Sequence, residues 1–260
     1  MKIVVFDLDE TLGYFTQYGI FWDSLAAYMK ELKMDALTQP DFDAVLDLFP
    51  EFLRPDILPI LTYLKHKKKS GCCHKMMIYT NNTGPREWAK HIIQYFERKL
   101  DYKLVDQIIA AFKINGKRVE PSRTTHNKTH ADLIKCAKIP ADTEICFMDD
   151  CLHPEMTHSH IYYIKIQPYY YHLSFDYMLD TFAQSAVGRR LIDERGAHFY
   201  TTMKDLIDAY RYTATEKDEI EYDVEKILSK RIISHLHAFF SRSKTAKLRH
   251  THNNKTVKRR

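Results

Sequence analysis

Three short apolar runs in this chain each stop at a polar side chain. Lys2-Ile3-Val4-Val5-Phe6 stops at Asp7, Lys75-Met76-Met77-Ile78-Tyr79 at Thr80, and Glu144-Ile145-Cys146-Phe147-Met148 at Asp149-Asp150. Continuous apolar runs of this length, without alternation of polar residues, are strands buried on both faces, and such strands belong to parallel sheets. Residues 107–111 and 161–166 are further strand candidates. Helical spacing fills the gaps at 21–33, 41–48, 85–99 and 128–137, and at 55–68 with Pro55 in the first helical position. Asn115-Gly116 between short flanks predicts a two-residue hairpin. Strands alternating with helices predict an α/β fold, a Rossmann-like parallel sheet with helices on both faces. Beyond residue 174 the pattern is all helical, with a last helix at about 217–240. The expected division is a domain at 1–185 with a small helical cap insertion at 12–50, a helical extension at 186–240 packed on the core, and a tail at 241–260.

Composition enters where it separates body from tail. The chain has 260 residues, 45% of them hydrophobic, enough for a sizeable core. The formal net charge is +5, but residues 241–260 contain eight Lys or Arg and no acid, so residues 1–240 carry 5 − 8 = −3. The body is mildly acidic and the basicity is local. A tail so poor in apolar side chains is expected to be disordered, with either no partner, a salt-sensitive contact with nucleic acid, or an import signal in KTVKRR. Five cysteines at 72, 73, 136, 146 and 151 form no framework spacing and read as reduced thiols of an intracellular protein, cytoplasmic or nuclear. No apolar run approaches the length of a membrane span, and the N-terminus lacks the features of a secretory signal.

The polar groups at the strand ends carry the functional argument. Ligands of open parallel sheets bind at the carboxyl ends of the strands. Those ends hold Asp7 and Asp9, then Thr80, then Asp149 and Asp150, with Lys128 ahead of the last strand. A hard cation such as Mg²⁺ takes oxygen ligands, and one or two carboxylates suffice beside a substrate phosphate. One carboxylate can attack phosphorus, and a second can protonate the leaving oxygen and activate water. A lysine neutralises charge on the transferring group. Singly, each position has a plainer reading: Asp7 and Asp149-Asp150 as turns or caps, Thr80 as a helix cap, Lys128 as a solvated first-turn lysine. The ordered set, each member directly after or ahead of an apolar strand, favours phosphoryl chemistry.

With those residues in place the chain resembles the haloacid dehalogenase-like superfamily of phosphohydrolases. VVFDLDETL is similar to its first motif, MMIYT to its second and EICFMDD to the Asp-Asp form of its fourth, and Lys128 is the candidate for the third. The resemblance covers about residues 1–185. It implies Asp7 as nucleophile and Mg²⁺ ligand, and Asp9 as general acid and base with its carbonyl on Mg²⁺. It implies Thr80, Asn81 and Lys128 around the phosphoryl group, further metal contacts from Asp149 and Asp150, and support from Thr11. Within the superfamily, DLDETL, LRPDILPILTYLKHKKK and KIQPYYYHLSFDYMLDTF resemble the phosphatases of the RNA polymerase C-terminal domain. The chain departs from that branch at Thr80-Asn81-Asn82, where the branch has Thr-Ala-Ser, and at Asp149-Asp150, where it has Asp-Asn.

The expectation is therefore a Mg²⁺-dependent phosphomonoester hydrolase acting on a phosphoprotein, a protein serine/threonine phosphatase. The alternatives are a phosphatase of small metabolites or nucleotides with 12–50 as its lid, and a nucleic-acid-binding or end-processing protein. Zinc is not expected at Cys72-Cys73-His74 or at Cys146, Cys151 and His153, which lack ligand spacing. Tyr162, Tyr163, Tyr169, Tyr170 and Tyr171 are expected to pack on the sheet edge rather than stack on bases. The loop at 113–128, with Lys117, Arg118, Arg123 and His126, reads either as solvated or as a substrate-phosphate contact.

Overall fold

A computed structural model describes residues 1–192, 198–214 and 219–242. The tail expected at 241–260 lies, beyond Arg242, outside the described residues. The chain runs β1 (Lys2–Phe6), α1 (Thr16–Glu31), α2 (Gln39–Leu46), α3 (Ile57–Lys69), β2 (Lys75–Tyr79), α4 (Arg86–Leu100) and β3 (Gln107–Ile109). A hairpin of β4 (Lys113–Ile114) and β5 (Lys117–Arg118) follows, then α5 (His130–Ala137), β6 (Glu144–Asp149) and β7 (Ile161–Lys165). Four helices close the fold: α6 (Phe175–Gln184), α7 (Ala186–Leu191), α8 (Phe199–Asp208) and α9 (Glu219–Ser241).

The five long-range strands form one parallel sheet in the order β3-β2-β1-β6-β7. This is the predicted Rossmann-like α/β architecture. The chain builds outward from β1 in one direction through β2 and β3, then crosses to the other side for β6 and β7. The crossovers therefore diverge between β1 and β6, and open α/β sheets bind ligands in the crevice at such a point. Asp7 and Asp149 stand there, one residue beyond the paired Phe6 and Met148.

Alternate residues of each strand enter two cores, as the two-residue period of a strand requires. Val4, Phe6, Met76, Ile78 and Met148 face a large cluster built with α1 to α4 and α6 to α9. Ile3, Val5, Met77, Ile145 and Phe147 face a small one, covered by Leu133, Cys136 and Ala137 of α5 and by Met156. Residues 12–50 share the large cluster: Phe15 just before α1, Tyr18 and Phe21 on α1 and Phe42 on α2 are buried together with Phe6 and Ile78. The helical extension closes onto the start of the chain. Lys2 Nζ donates to the carbonyls of Phe239 at 2.7 Å, Phe240 at 3.1 Å and Arg242 at 2.7 Å, which satisfies orphan acceptors at the C-terminus of α9.

Several boundaries differ from the sequence reading for identifiable reasons. Helix α3 starts at Ile57 rather than Pro55, because Asp56 adopts a left-handed conformation (φ 58°) and breaks the path from the proline. Helix α1 begins at Thr16, before the apolar stripe that signals it. The strand expected at 107–111 pairs only to Ile109, where the chain turns toward the hairpin. Asn115 (φ 49°) and Gly116 (φ 77°) make that hairpin turn with the backbone that Asn-Gly favours. Helix α5 starts at His130, capped by the Thr129 hydroxyl on Asp132 N–H, so Lys128 precedes the helix instead of occupying its first turn. On α9 the buried positions include Ile232, Leu236 and Phe239, whereas Val224 and Ile227 face solvent.

Candidate active site

The residues singled out in the sequence converge on one cleft of about 630 Å³ at the carboxyl end of the sheet. Asp7, Asp9, Thr80, Asn81, Lys128, Asp149 and Asp150 all line it. Thr11 does not line it but lies just behind, its hydroxyl donating to Asp150 Oδ1 at 3.2 Å.

Lys128 is the centre of the arrangement. Its side chain is 2% exposed and its ammonium donates to Asp7 Oδ1 and, at 2.7 Å, to Asp149 Oδ2. Burial alone would lower the ammonium's pKa, but the two carboxylates outweigh it and raise it, so Lys128 stays charged. Asp149 also lies 3.3 Å from His153 Nε2 and accepts from Cys151 N–H at 2.8 Å. Burial pushes its carboxyl up, yet the hydrogen bonds from His153 and Lys128 hold it below the ordinary value. Asp7 responds the other way: burial, opposed by Lys128, carries it up to about 7.

Asp9 is held by Asn82, whose side-chain amide donates to Oδ2 at 2.8 Å. Burial raises the Asp9 carboxyl against that bond, which favours the protonated acid. Asn82 in turn accepts from Gly84 N–H at 2.7 Å and gives its own N–H to Thr80 Oγ1 at 2.9 Å. The Thr80 hydroxyl thereby accepts from the backbone and keeps its hydrogen to donate into the cleft. Glu10, at φ 54°, adds a further carboxyl pushed up to about 8 by burial and by Asp9 and Asp150. Five carboxyls around one buried ammonium leave an excess of negative charge. Asp149, Asp150 and the Cys151 thiol bring ligand atoms within 4.8 Å of one another. The carboxylate oxygens fit a hard divalent cation, which Asp7, Asp9, Asp149 and Asp150 would hold.

Two buried arginines fix the loops that carry these groups. Arg54 donates to the carbonyls of Thr11 (2.6 Å), Glu10 (2.5 Å) and Gln167 (2.7 Å), joining the loop after β1 to the loop after β7. Arg123 is 0% exposed and donates to the carbonyls of Thr80 (3.1 Å), Ala110 (2.9 Å) and His126 (2.9 Å) and to Asn81 Oδ1 (2.7 Å). Its guanidinium also lies 4.8 Å from the ring centre of Tyr79. This settles the open reading of the 113–128 loop for one residue: Arg123 is neither solvated nor available to a substrate.

The sequence reading did not single out Asn82, Arg54 as a clamp, or His153 as a partner of Asp149. His153 carries a signal in its spacing, four residues beyond Asp149. Asn82 has one too, as a second amide directly after Thr80. Tyr162 and Tyr163 lie on β7, where Tyr162 pairs with His235 and Tyr163 bonds the Cys151 carbonyl; beyond the strand Tyr169 bonds the Glu51 carbonyl, Tyr170 meets Tyr14 edge-on, and Tyr171 lies against Tyr222. Cys72 and Cys151 are exposed, and Cys73, Cys136 and Cys146 are buried. Among the described residues no helix is long and apolar enough to cross a membrane. No family model matches the chain, and no curated protein matches it.

Proposed function

We propose that the chain is a Mg²⁺-dependent phosphomonoester hydrolase of the haloacid dehalogenase-like kind, acting on phosphoserine or phosphothreonine in a protein. The observation that carries this reading is the convergence of Asp7, Asp9, Thr80, Lys128 and Asp149, from four separate segments, on the crevice between β1 and β6. A buried lysine shared by two carboxylates has no structural need to face a cleft, and buried ion pairs contribute little net stability.

Asp7 Oδ attacks phosphorus and the bond to the leaving oxygen breaks. Asp9, raised by burial and oriented by Asn82, gives that oxygen its proton. The carboxyl of Asp9 then takes a proton from water, whose oxygen attacks the aspartyl-phosphate, releases inorganic phosphate and restores Asp7. Lys128 and the Thr80 hydroxyl donate to the phosphoryl oxygens as their charge grows. Asp7, Asp9, Asp149 and Asp150 would hold Mg²⁺, which would supply charge neutralisation and orientation of the phosphate. Trp22, Trp88 and Tyr210 in the cleft's lining offer aromatic surface that suits a protein substrate.

The test is phosphate release from p-nitrophenyl phosphate and from a phosphoserine peptide, with Mg²⁺ and with excess EDTA, by wild type and Asp7→Asn. Turnover that needs both Mg²⁺ and Asp7 is expected. Absence of turnover on every ester with Mg²⁺ present, or full turnover by Asp7→Asn, overturns the reading.

A further inference from the structure

Beyond the carboxylates, the cleft has walls that the phosphoryl chemistry does not use. One wall is α1, which presents Gly19, Ile20 and Asp23, and the facing wall is the start of α4, with Trp88 and His91. Tyr210, beyond α8, completes the rim and is 49% exposed. Gly19 lets the Trp88 indole lie along α1, since a Cβ there would come within 3.3 Å of its ring. Tyr18 stacks on the same indole with ring centres 5.9 Å apart, so its plane is fixed. Asp23 is exposed and forms no ion pair with the described residues.

The charge of the lining is one-sided. Among the described lining residues Lys128 is the only lysine or arginine, and Asp7 and Asp149 already engage it. Asp23 extends the acidic character outward from the reacting end, whereas Glu87 is paired with Lys90 at 2.8 Å. A second phosphate or a flanking carboxylate on the substrate would meet Asp23 and the site carboxylates, whereas a flanking cation would be attracted. Among cations a guanidinium suits the wall best. Its flat face stacks on an indole or phenol ring while its edge pairs with a carboxylate, which an ammonium cannot do in the same way.

Resting on the phosphatase reading, we propose that the cleft selects phosphoserine or phosphothreonine segments that carry an arginine close to the phosphorylated residue. The guanidinium lies against Trp88 and Tyr210 and pairs with Asp23. This subsite discriminates against acidic flanks and against substrates with more than one phosphate.

The experiment compares kcat/KM for a set of phosphoserine peptides in which arginine, alanine or glutamate occupies each flanking position in turn, with p-nitrophenyl phosphate alongside. At the best position arginine is expected to exceed glutamate by about tenfold, the scale of a partly exposed ion pair added to a cation–π contact. Raising salt shrinks that ratio. Asp23→Lys inverts it, and Asp23→Asn, a smaller change, brings it toward one. Hydrolysis of p-nitrophenyl phosphate with no position that prefers arginine overturns this inference and leaves the phosphatase reading standing. A preference for arginine that neither Asp23 variant moves overturns the assignment to Asp23. No hydrolysis of any ester removes the phosphatase reading itself, and this inference with it.

Discussion

The site has two halves, each fixed by its own buried arginine. The acid half comprises Asp7, Asp9, Glu10 and Thr11 after β1, and Arg54 clamps it by three carbonyls. The second half comprises Thr80, Asn81 and the approach to Lys128, and Arg123 clamps it across the loops after β2 and β3. Neither arginine has a carboxylate among these partners; both spend their donors on backbone carbonyls and one amide. Burial without such a partner lowers the Arg54 pKa to about 10. The difference lies in what joins the halves. Among the described residues, Lys128 crosses between them by an ion pair, and Asn82 by an amide hydrogen bond to Asp9. On the phosphatase reading proposed above, the acid half would supply the reacting atoms, and the other half would set where the phosphoryl group sits.

If that division is right, substitutions in the two halves differ in kind. The largest effect is expected for Asp7→Asn, which removes the nucleophile: turnover of p-nitrophenyl phosphate should fall by about 10⁴-fold or more, with the fold retained by circular dichroism. Asp9→Asn should cost most with alkyl leaving groups, which need the proton, and less with nitrophenyl phosphate. An equal loss on both esters contradicts the acid role. Lys128→Ala should lower kcat/KM by about 10²-fold, the scale of one preorganised electrostatic contact. Because that variant also leaves Asp7 and Asp149 facing each other, its Tm should respond more to added Mg²⁺ than that of wild type.

The arginines sharpen the comparison at the level of stability. Arg54→Met and Arg123→Met each strand several buried carbonyls and should each cost about 3 kcal/mol or more in urea unfolding. Lysine at either position restores charge but not the fork that reaches three or four acceptors, so it should recover little. Where the variants fold, Arg123→Lys should raise KM through the displaced Thr80 and Asn81, and Arg54→Lys should lower kcat through the displaced Asp9. The same split in both variants removes the two-half description.

The site residues of both halves were legible in the sequence, and the clamps that fix them were not. Asp7, Thr80 and Asp149-Asp150 directly follow apolar strands, with Asp9 and Asn81 close behind, so strand recognition alone put them at one edge of the sheet. Lys128 follows no strand, and its placement depends on the chain between β3 and α5, which has no regular structure apart from a short hairpin. What fixes that chain is Arg123, five residues before Lys128. Nothing local in the sequence distinguishes its buried guanidinium from the exposed Lys117 and Arg118 nearby. Arg54 was visible only as part of an Arg-Pro pattern, because its acceptors are carbonyls of Glu10, Thr11 and Gln167, which carry no side-chain signature. Fold topology was readable from hydrophobic periodicity, whereas clamps made to backbone are invisible to it.

The smallest expected effects concern pH, and they have opposite signs in the two halves. In the metal-free chain Glu10, in the acid half, is raised from 4.5 to about 8, first by burial and then by Asp9 and Asp150. The folded state thus keeps a proton that the unfolded chain releases, and this contribution to stability is lost as pH rises from about 4.5 through about 8. His130, two residues beyond Lys128, is shifted the other way: burial, then His158 and His160, lower its pKa from 6.5. Its ring stacks on His158 with centres 4.0 Å apart. Here the folded state binds fewer protons than the unfolded chain, so stability is lost as pH falls below about 6.5. Thermal melts in EDTA from pH 5 to 9 should therefore show Glu10→Gln gaining on wild type toward high pH, and His130→Asn gaining toward low pH. Mg²⁺ should erase the first difference, because the cation offsets the crowded carboxylates, and leave the second in place. A His130→Asn difference that vanishes with Mg²⁺ would mean that the two halves share their charge balance, and that Lys128 is not the only ionic link between them.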